Sequence, residues 1–114
     1  MDTIVYHNAR CSKSREVCHL LQEKKITFKT IEYLKTPLTE IQLRSILKKL
    51  GMKAEDIVRK KELLYEKKYK NKKRTEEQWI KVLAQNPLLI ERPIVVNGHR
   101  AVIGRPPNHV LEIF

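Results

Sequence analysis

The sequence predicts a single α/β domain, and three observations support that prediction. A strand, a helix and a second strand follow one another within the first 34 residues, and strands joined in this way are normally parallel. In the middle of the chain, the sequence pattern predicts only helices. The last quarter holds two β-branched runs around Asn97-Gly98, which is the strongest short-range signal for a β-hairpin.

The first part of the chain gives the clearest βαβ pattern. The apolar run TIVYH over 3–7 predicts a short buried strand. A helix is predicted over 12–25, because apolar side chains from Val17 to Leu21 recur at helical spacing behind two serines. Alternating residues over 27–34 predict the second strand.

Two helices are predicted in the middle of the chain, each beginning at a threonine. The first covers 39–51, with Thr39 as its cap and Gly51 as its stop. The second covers 75–87 and is capped by Thr75. After the hairpin, two prolines begin a short closing helix, so the predicted order is β-α-β, helices, β-β-α.

The chain is strongly basic, with 24 Lys and Arg against 13 Asp and Glu. Residues 59–74 hold nine of these 24 basic residues. A solvated helix and loop face is the preferred interpretation of such a run. Because the sequence has no Gly-flanked aromatic RNA signature and no zinc-finger spacing, we expect neither nucleic-acid binding nor a metal site.

Targeting and export signals are not apparent in the sequence. No stretch approaches the roughly 18 to 20 apolar residues that span a bilayer, and MDTIVYHN does not resemble a signal peptide. Two cysteines do not form a disulfide scaffold. We therefore expect a cytoplasmic monomer with no membrane partner and no bound cofactor.

Cys11 lies where the first strand ends and the first helix begins. Free amide groups and the positive end of the helix dipole favour a thiolate at this position, and such sites lower a cysteine pKa from about 8.5 to roughly 3.5–7.5. Arg10, Lys13 and Arg15 add positive charge nearby. The sequence therefore predicts that Cys11 is a reactive thiolate.

The nucleophile is predicted to act without a second cysteine. A dithiol motif would be C-x-x-C, but this chain has CSKS, with Ser14 in the fourth position. Cys18 lies seven residues after Cys11, which is about 10 Å along a helix and too far for a disulfide. Cys18 is interpreted as core filler, so the partner of Cys11 must come from outside the chain.

Cys11, together with the segments YLKTPLTEIQL, RPIVVNG and GRPP, resembles the glutaredoxin-linked type of arsenate reductase, the ArsC family. The likeness runs nearly end to end. It implies a thioredoxin-like fold with a mixed four-stranded sheet. In that fold, 1–34 and 90–114 would form the core of a single domain, and 35–89 a helical insertion.

The resemblance also implies a chemistry. Cys11 would be the nucleophile that attacks arsenate, with glutathione and glutaredoxin as the reducing partners. Three arginines would hold the oxyanion: Arg59, Arg92 and Arg105.

Three further residues would support this site. The family places His7 and Ser14 beside the cysteine, where they help to keep it ionised. The Arg92-Pro93 bond occupies the position of the cis-proline that thioredoxin-like folds carry before the third strand.

The chain departs from the family pattern in the loop around the cysteine. Ser12-Lys13 stands where the arsenate enzymes commonly have Gly-Thr, and Ala9 stands where many relatives have Pro. Replacing Gly alters how closely an oxyanion approaches the loop amides. These differences bear on the substrate more than on the fold.

Two other functions are compatible with the sequence. One is a thiol oxidoreductase that acts on glutathione mixed disulfides. The other is a transcription regulator of the Spx type, which shares the fold and binds RNA polymerase. Those regulators typically carry a C-x-x-C switch, which Ser14 removes here, and the arginine at 105 favours anion chemistry.

Overall fold

The computed structural model describes residues 2–114, and the chain divides into two compact units. The α/β unit comprises the residues up to Thr36 and those from Arg92 to Phe114, and the helical unit comprises Pro37–Glu91. Among residues 2–114, no helix combines the length and the apolar character needed to cross a membrane.

The α/β unit is a mixed four-stranded sheet with one α-helix and a closing 3-10 helix. Its elements in chain order are β1 Thr3–His7, α1 Ser12–Glu23, β2 Lys29–Glu32, β3 Ile94–Asn97, β4 Arg100–Ile103 and the 3-10 helix Pro107–Ile113. The strand order is β2-β1-β3-β4. Strand β1 is parallel to β2 and antiparallel to β3, and β4 is antiparallel to β3. The predicted parallel βαβ unit, the hairpin and the mixed sheet are therefore confirmed.

Two elements of this unit are shorter than predicted. Strand β2 spans Lys29–Glu32 and not 27–34, because its pairing with β1 covers only four residues. Helix α1 ends at Glu23, since Lys25 takes a φ of 58°, and a left-handed residue ends a helix.

The core of the α/β unit lies between the sheet, α1 and the closing 3-10 helix. Its buried side chains are Val5, Val17, Leu21, Val95, Val110 and Ile113. Cys18 is half-buried and packs against this core, as its place on the apolar face of the helix predicts. This packing fixes the end of β1 and the start of α1, where Cys11 lies.

The helical unit contains two α-helices with sequence-encoded ends. Its elements are α2 Glu40–Leu50, the 3-10 helix Ala54–Ile57, a π-helical turn Tyr65–Tyr69, α3 Glu76–Gln85 and the 3-10 helix Pro87–Leu89. Thr39 and Thr75 each form a capping box. Gly51 ends α2 with a φ of 67°. The predicted caps and the predicted stop are thus confirmed.

The basic segment 59–74 has an aromatic side that packs inside the helical unit. The ring of Tyr65 stacks on Trp79 with 6.4 Å between centroids. The Arg74 guanidinium lies 4.7 Å from the centroid of Tyr69 and 5.1 Å from that of Trp79. The lysines of the segment are exposed, as predicted for a solvated face.

Candidate active site

Cys11 is held in a turn between β1 and α1. It is the N-cap residue of α1, with an extended backbone at φ −93° and ψ 123°. Its amide donates to the Asn8 carbonyl at 2.9 Å. The Arg15 guanidinium donates to the Ala9 carbonyl at 2.9 Å and ties the turn to the helix. The sulfur is therefore placed at the amide-rich start of α1.

The surroundings of Cys11 stabilise its thiolate. Burial raises the pKa of Cys11, but hydrogen bonds from the Ser14 amide, the Arg92 guanidinium and the Lys13 amide outweigh burial and lower the pKa to about 7. A thiol with this pKa is about half ionised at neutral pH. The predicted activation at a helix start thus has a specific source: two amides and one guanidinium.

Two arginines approach this sulfur from the other end of the chain. Arg105 follows β4, and its Nη2 lies 3.7 Å from the Cys11 Sγ. Its Nε donates to the Arg92 carbonyl at 2.7 Å, which fixes the two arginines relative to each other. Arg92 immediately precedes Pro93 at the start of β3, and the predicted cis bond between them is confirmed.

The Arg92 guanidinium interacts with both Cys11 and Tyr33. Burial lowers the pKa of Arg92, but interactions with Cys11 and Tyr33 outweigh burial and raise it above its ordinary value. Its Nε and Nη1 are buried and have no partner with hydrogen-bond geometry among residues 2–114. Buried donors of this kind are normally paired.

Ser14 and His7 both lie near this turn, but they contact different partners. Ser14 is fully buried, and its Oγ accepts a hydrogen bond from the Asn8 amide at 3.3 Å. Its own amide stabilises the Cys11 thiolate. The His7 Nδ1 lies 3.8 Å from the Cys18 Sγ. Burial and, to a smaller extent, Arg15 lower the pKa of His7 and outweigh the Glu32 carboxylate, which raises it, so the charged imidazole is disfavoured.

Arg59 lies in the helical unit. Its amide donates to the Leu89 carbonyl at 2.7 Å, beside the bridge between Val58 and Ile90. Its guanidinium pairs with Glu62, with Nη2 and Oε1 3.2 Å apart. The role of Arg59 in oxyanion binding stays a prediction from the resemblance.

Two residues around the site were not singled out from the sequence. Tyr33 is 1% exposed and interacts with the Arg92 guanidinium. Gly104 immediately precedes Arg105, and a Cβ there would lie 2.6 Å from the Val17 Cγ2 and 3.0 Å from the Pro93 Cγ. The alternating pattern of 27–34 could indicate that Tyr33 is buried, but no local signal reveals these long-range neighbours.

The fold and the turn define a class of protein: a thioredoxin-like sheet with one activated cysteine at the start of its first helix. The sequence matches the model of the ArsC family over residues 6–113, and the chain belongs to that family. The resemblance stated from the sequence and the thioredoxin-like fold are both confirmed.

Relatives and solved structures match along almost the whole chain. The chain is 48% identical to the Escherichia coli K12 protein YfgD, over 96% of this chain and 93% of that protein. It is 43% identical to the arsenate reductase of Haemophilus influenzae, over 99% of both chains. The structure of an arsenate reductase from Vibrio cholerae superposes with a TM-score of 0.95 and 38% identity, covering 100% of this chain and 98% of that one.

Proposed function

We propose that this chain is an oxidoreductase of the arsenate reductase type, with Cys11 as its single nucleophile and glutathione and glutaredoxin as reductants. The observation that supports this most directly is the Cys11 sulfur, which has a pKa of about 7 and lies 3.7 Å from the Arg105 guanidinium. The Haemophilus and Vibrio relatives are named arsenate reductases, which supports the reduction of arsenate.

Binding must overcome the repulsion between a thiolate and an arsenate anion. Guanidinium groups do this well, because they screen both charges and donate in pairs to oxygens. The Nε and Nη1 of Arg92 are buried and have no partner with hydrogen-bond geometry in the described part of the chain, and Arg105 is already oriented toward the sulfur. Arg59 is the third arginine of the proposed site, by the resemblance alone.

The reaction begins when the Cys11 sulfur displaces one arsenate oxygen as water and forms an S–As bond. A glutathione thiol displaces a second oxygen, also as water, and forms a second S–As bond. A glutaredoxin thiolate then attacks the glutathione sulfur and forms a disulfide, and the electron pair of the broken S–As bond reduces As(V) to As(III). Water cleaves the remaining bond, which releases arsenite and restores the Cys11 thiol.

A coupled assay of NADPH oxidation, with glutathione reductase present, tests this proposal. Turnover should require arsenate, glutathione and glutaredoxin together, and Cys11→Ser should abolish it. Cys18→Ser is the matched control, because burial raises the pKa of Cys18 and the mechanism does not use this thiol. Turnover that persists in Cys11→Ser, or wild-type protein without arsenate-dependent turnover, would contradict the proposal.

A second candidate is a thiol oxidoreductase that acts on glutathione mixed disulfides. The observation in its favour is that Cys11 is activated but has no second activated thiol beside it. Both cysteines are free, and the Cys18 Sγ lies near the His7 imidazole rather than near Cys11. Rapid turnover of a glutathione mixed disulfide without any response to arsenate would favour this function over the first.

A further inference from the structure

A cleft of about 300 Å³ opens beside the turn that carries Cys11. This volume is at the lower end of the roughly 300–1,000 Å³ of small-molecule sites. The cleft lies entirely in the α/β unit, at the carboxyl ends of β1 and β2. It is lined by His7, Asn8, Ala9, Arg10, Glu32, Leu34 and Lys35.

The sheet topology places this cleft and the two arginines on opposite sides of Cys11. Cys11 follows β1, which has β2 as one neighbour and β3 as the other. Arg92 and Arg105 come from the β3 and β4 side, whereas Glu32, Leu34 and Lys35 come from the end of β2. A ligand in the cleft could therefore approach the sulfur while an oxyanion occupies the arginine side.

The lining of the cleft combines charges of both signs with an apolar contact. Arg10 and Lys35 are exposed cations, and Glu32 supplies a carboxylate. Leu34 is 39% exposed, which is high for a large apolar side chain. Lys35 pairs with Glu32 at 3.5 Å, but an exposed ion pair contributes little and opens readily for a ligand.

We propose that this cleft binds the glutathionyl group of the small thiol that reacts at Cys11. Glutathione carries two carboxylates and one ammonium group, which match the two cations and the one carboxylate of the cleft, and its length lets the thiol extend to the neighbouring turn. The choice of glutathione as the natural reductant rests on the proposed function. The binding itself can be tested without arsenate.

The first test is an NMR titration of the wild-type protein with S-methylglutathione, which cannot form a disulfide. We expect saturable shifts of the amides of Asn8, Arg10 and Leu34, with smaller shifts in β4. Saturable shifts confined to other surfaces, or no saturation, would overturn the proposal.

The second test compares two disulfides that react with Cys11. The thiolate attacks one sulfur of oxidised glutathione, the S–S bond breaks, Cys11 becomes glutathionylated, and one glutathione thiolate leaves. The neutral bis(2-hydroxyethyl) disulfide reacts in the same way, so the ratio of the two rate constants reports recognition of the glutathionyl group and corrects for any change in thiolate reactivity.

We expect Lys35→Glu to lower this ratio by about fivefold, the size expected for one partly exposed charged contact. Leu34→Ser should lower it about twofold, because it removes a small apolar contact. Lys29→Glu is the matched control: it makes the same charge change at the opposite end of β2 and should leave the ratio within about twofold. Equal effects of Lys35→Glu and Lys29→Glu would overturn the proposal, since general charge would then explain both.

The outcomes separate this inference from the proposed function. Binding in the cleft without arsenate turnover would contradict the proposed function but would still support the cleft as a binding site for the glutathionyl group. Arsenate turnover with an unchanged ratio of the two disulfide rate constants in Lys35→Glu would contradict only the proposed glutathionyl-binding role of the cleft.

Discussion

The α/β unit and the helical unit differ in the sequence distance over which their important contacts form. In the α/β unit, Cys11 meets Arg105 across 94 positions of the chain. In the helical unit, the capping boxes at Thr39 and Thr75 join residues three positions apart. The candidate active site thus depends on the topology of the sheet, whereas much of the helical unit depends on local signals. Substitutions in the two units should separate chemistry from stability.

The largest effect is expected for Arg92→Ala, which tests the chemistry of the α/β unit. The change removes a guanidinium that stabilises the Cys11 thiolate and that would hold the oxyanion. We expect kcat/KM for arsenate to fall by about 10²–10³-fold, by analogy with the loss of an oxyanion-hole donor. The pKa of Cys11, measured from the pH dependence of its alkylation, should rise.

Arg44→Ala provides the matched control for Arg92→Ala. It removes one arginine that pairs with Glu77 on the surface of the helical unit, and it should change neither the rate nor the pKa of Cys11. An equal loss of activity in both variants would show that net charge, and not the position of Arg92, determines the rate.

Gly104→Ala should affect stability and chemistry together. The new Cβ would lie 2.6 Å from the Val17 Cγ2, and overpacking of this kind costs about 1–3 kcal/mol. Relief of the clash would displace Arg105, so kcat/KM should fall as well. Urea unfolding and the coupled assay measure the two effects.

Gly51→Ala gives the corresponding comparison in the helical unit. Its Cβ would meet nothing within 4 Å, but the residue has a φ of 67°, and a left-handed conformation costs an L-residue about 1–2 kcal/mol. Stability should fall without loss of kcat/KM. If Gly104→Ala also retains full activity, Gly104 positions nothing at the site.

The sequence predicted local features well and long-range features only through the family resemblance. Thr39, Gly51 and Asn97-Gly98 act on neighbours within a few residues, so their patterns identified the helix ends and the hairpin. The position of Cys11 at a helix start predicted its low pKa. The contacts of Arg92 and Tyr33 depend on strand order, which no local pattern encodes, and Gly104 is required by packing against a helix almost 90 positions away in the chain.

Loss of a helix cap should have a smaller effect, confined to stability. Thr39→Ala and Thr75→Ala each remove a hydroxyl that accepts a hydrogen bond from a backbone amide, and each should lower the free energy of unfolding by about 1 kcal/mol. Thr→Ser at either position keeps the hydroxyl and should restore most of the loss. Unchanged unfolding in both alanine variants would contradict a stabilising role for the caps.

The smallest effect should be a dependence of stability on pH that originates in Cys11. Its pKa is about 7 in the folded protein and about 8.5 in an unfolded chain. Because the folded state favours the thiolate, this stabilisation is fully present above about pH 8.5 and is lost as the pH falls through 7. Wild type should therefore gain stability relative to Cys11→Ser between pH 6 and pH 9, measured by urea unfolding under reducing conditions. Cys18 is present in both proteins, and its contribution cancels in the difference. A difference that stays constant or shrinks with rising pH would mean that Cys11 is not ionised preferentially in the folded state, and Cys11 would then lack the thiolate charge that the proposed attack on arsenate requires.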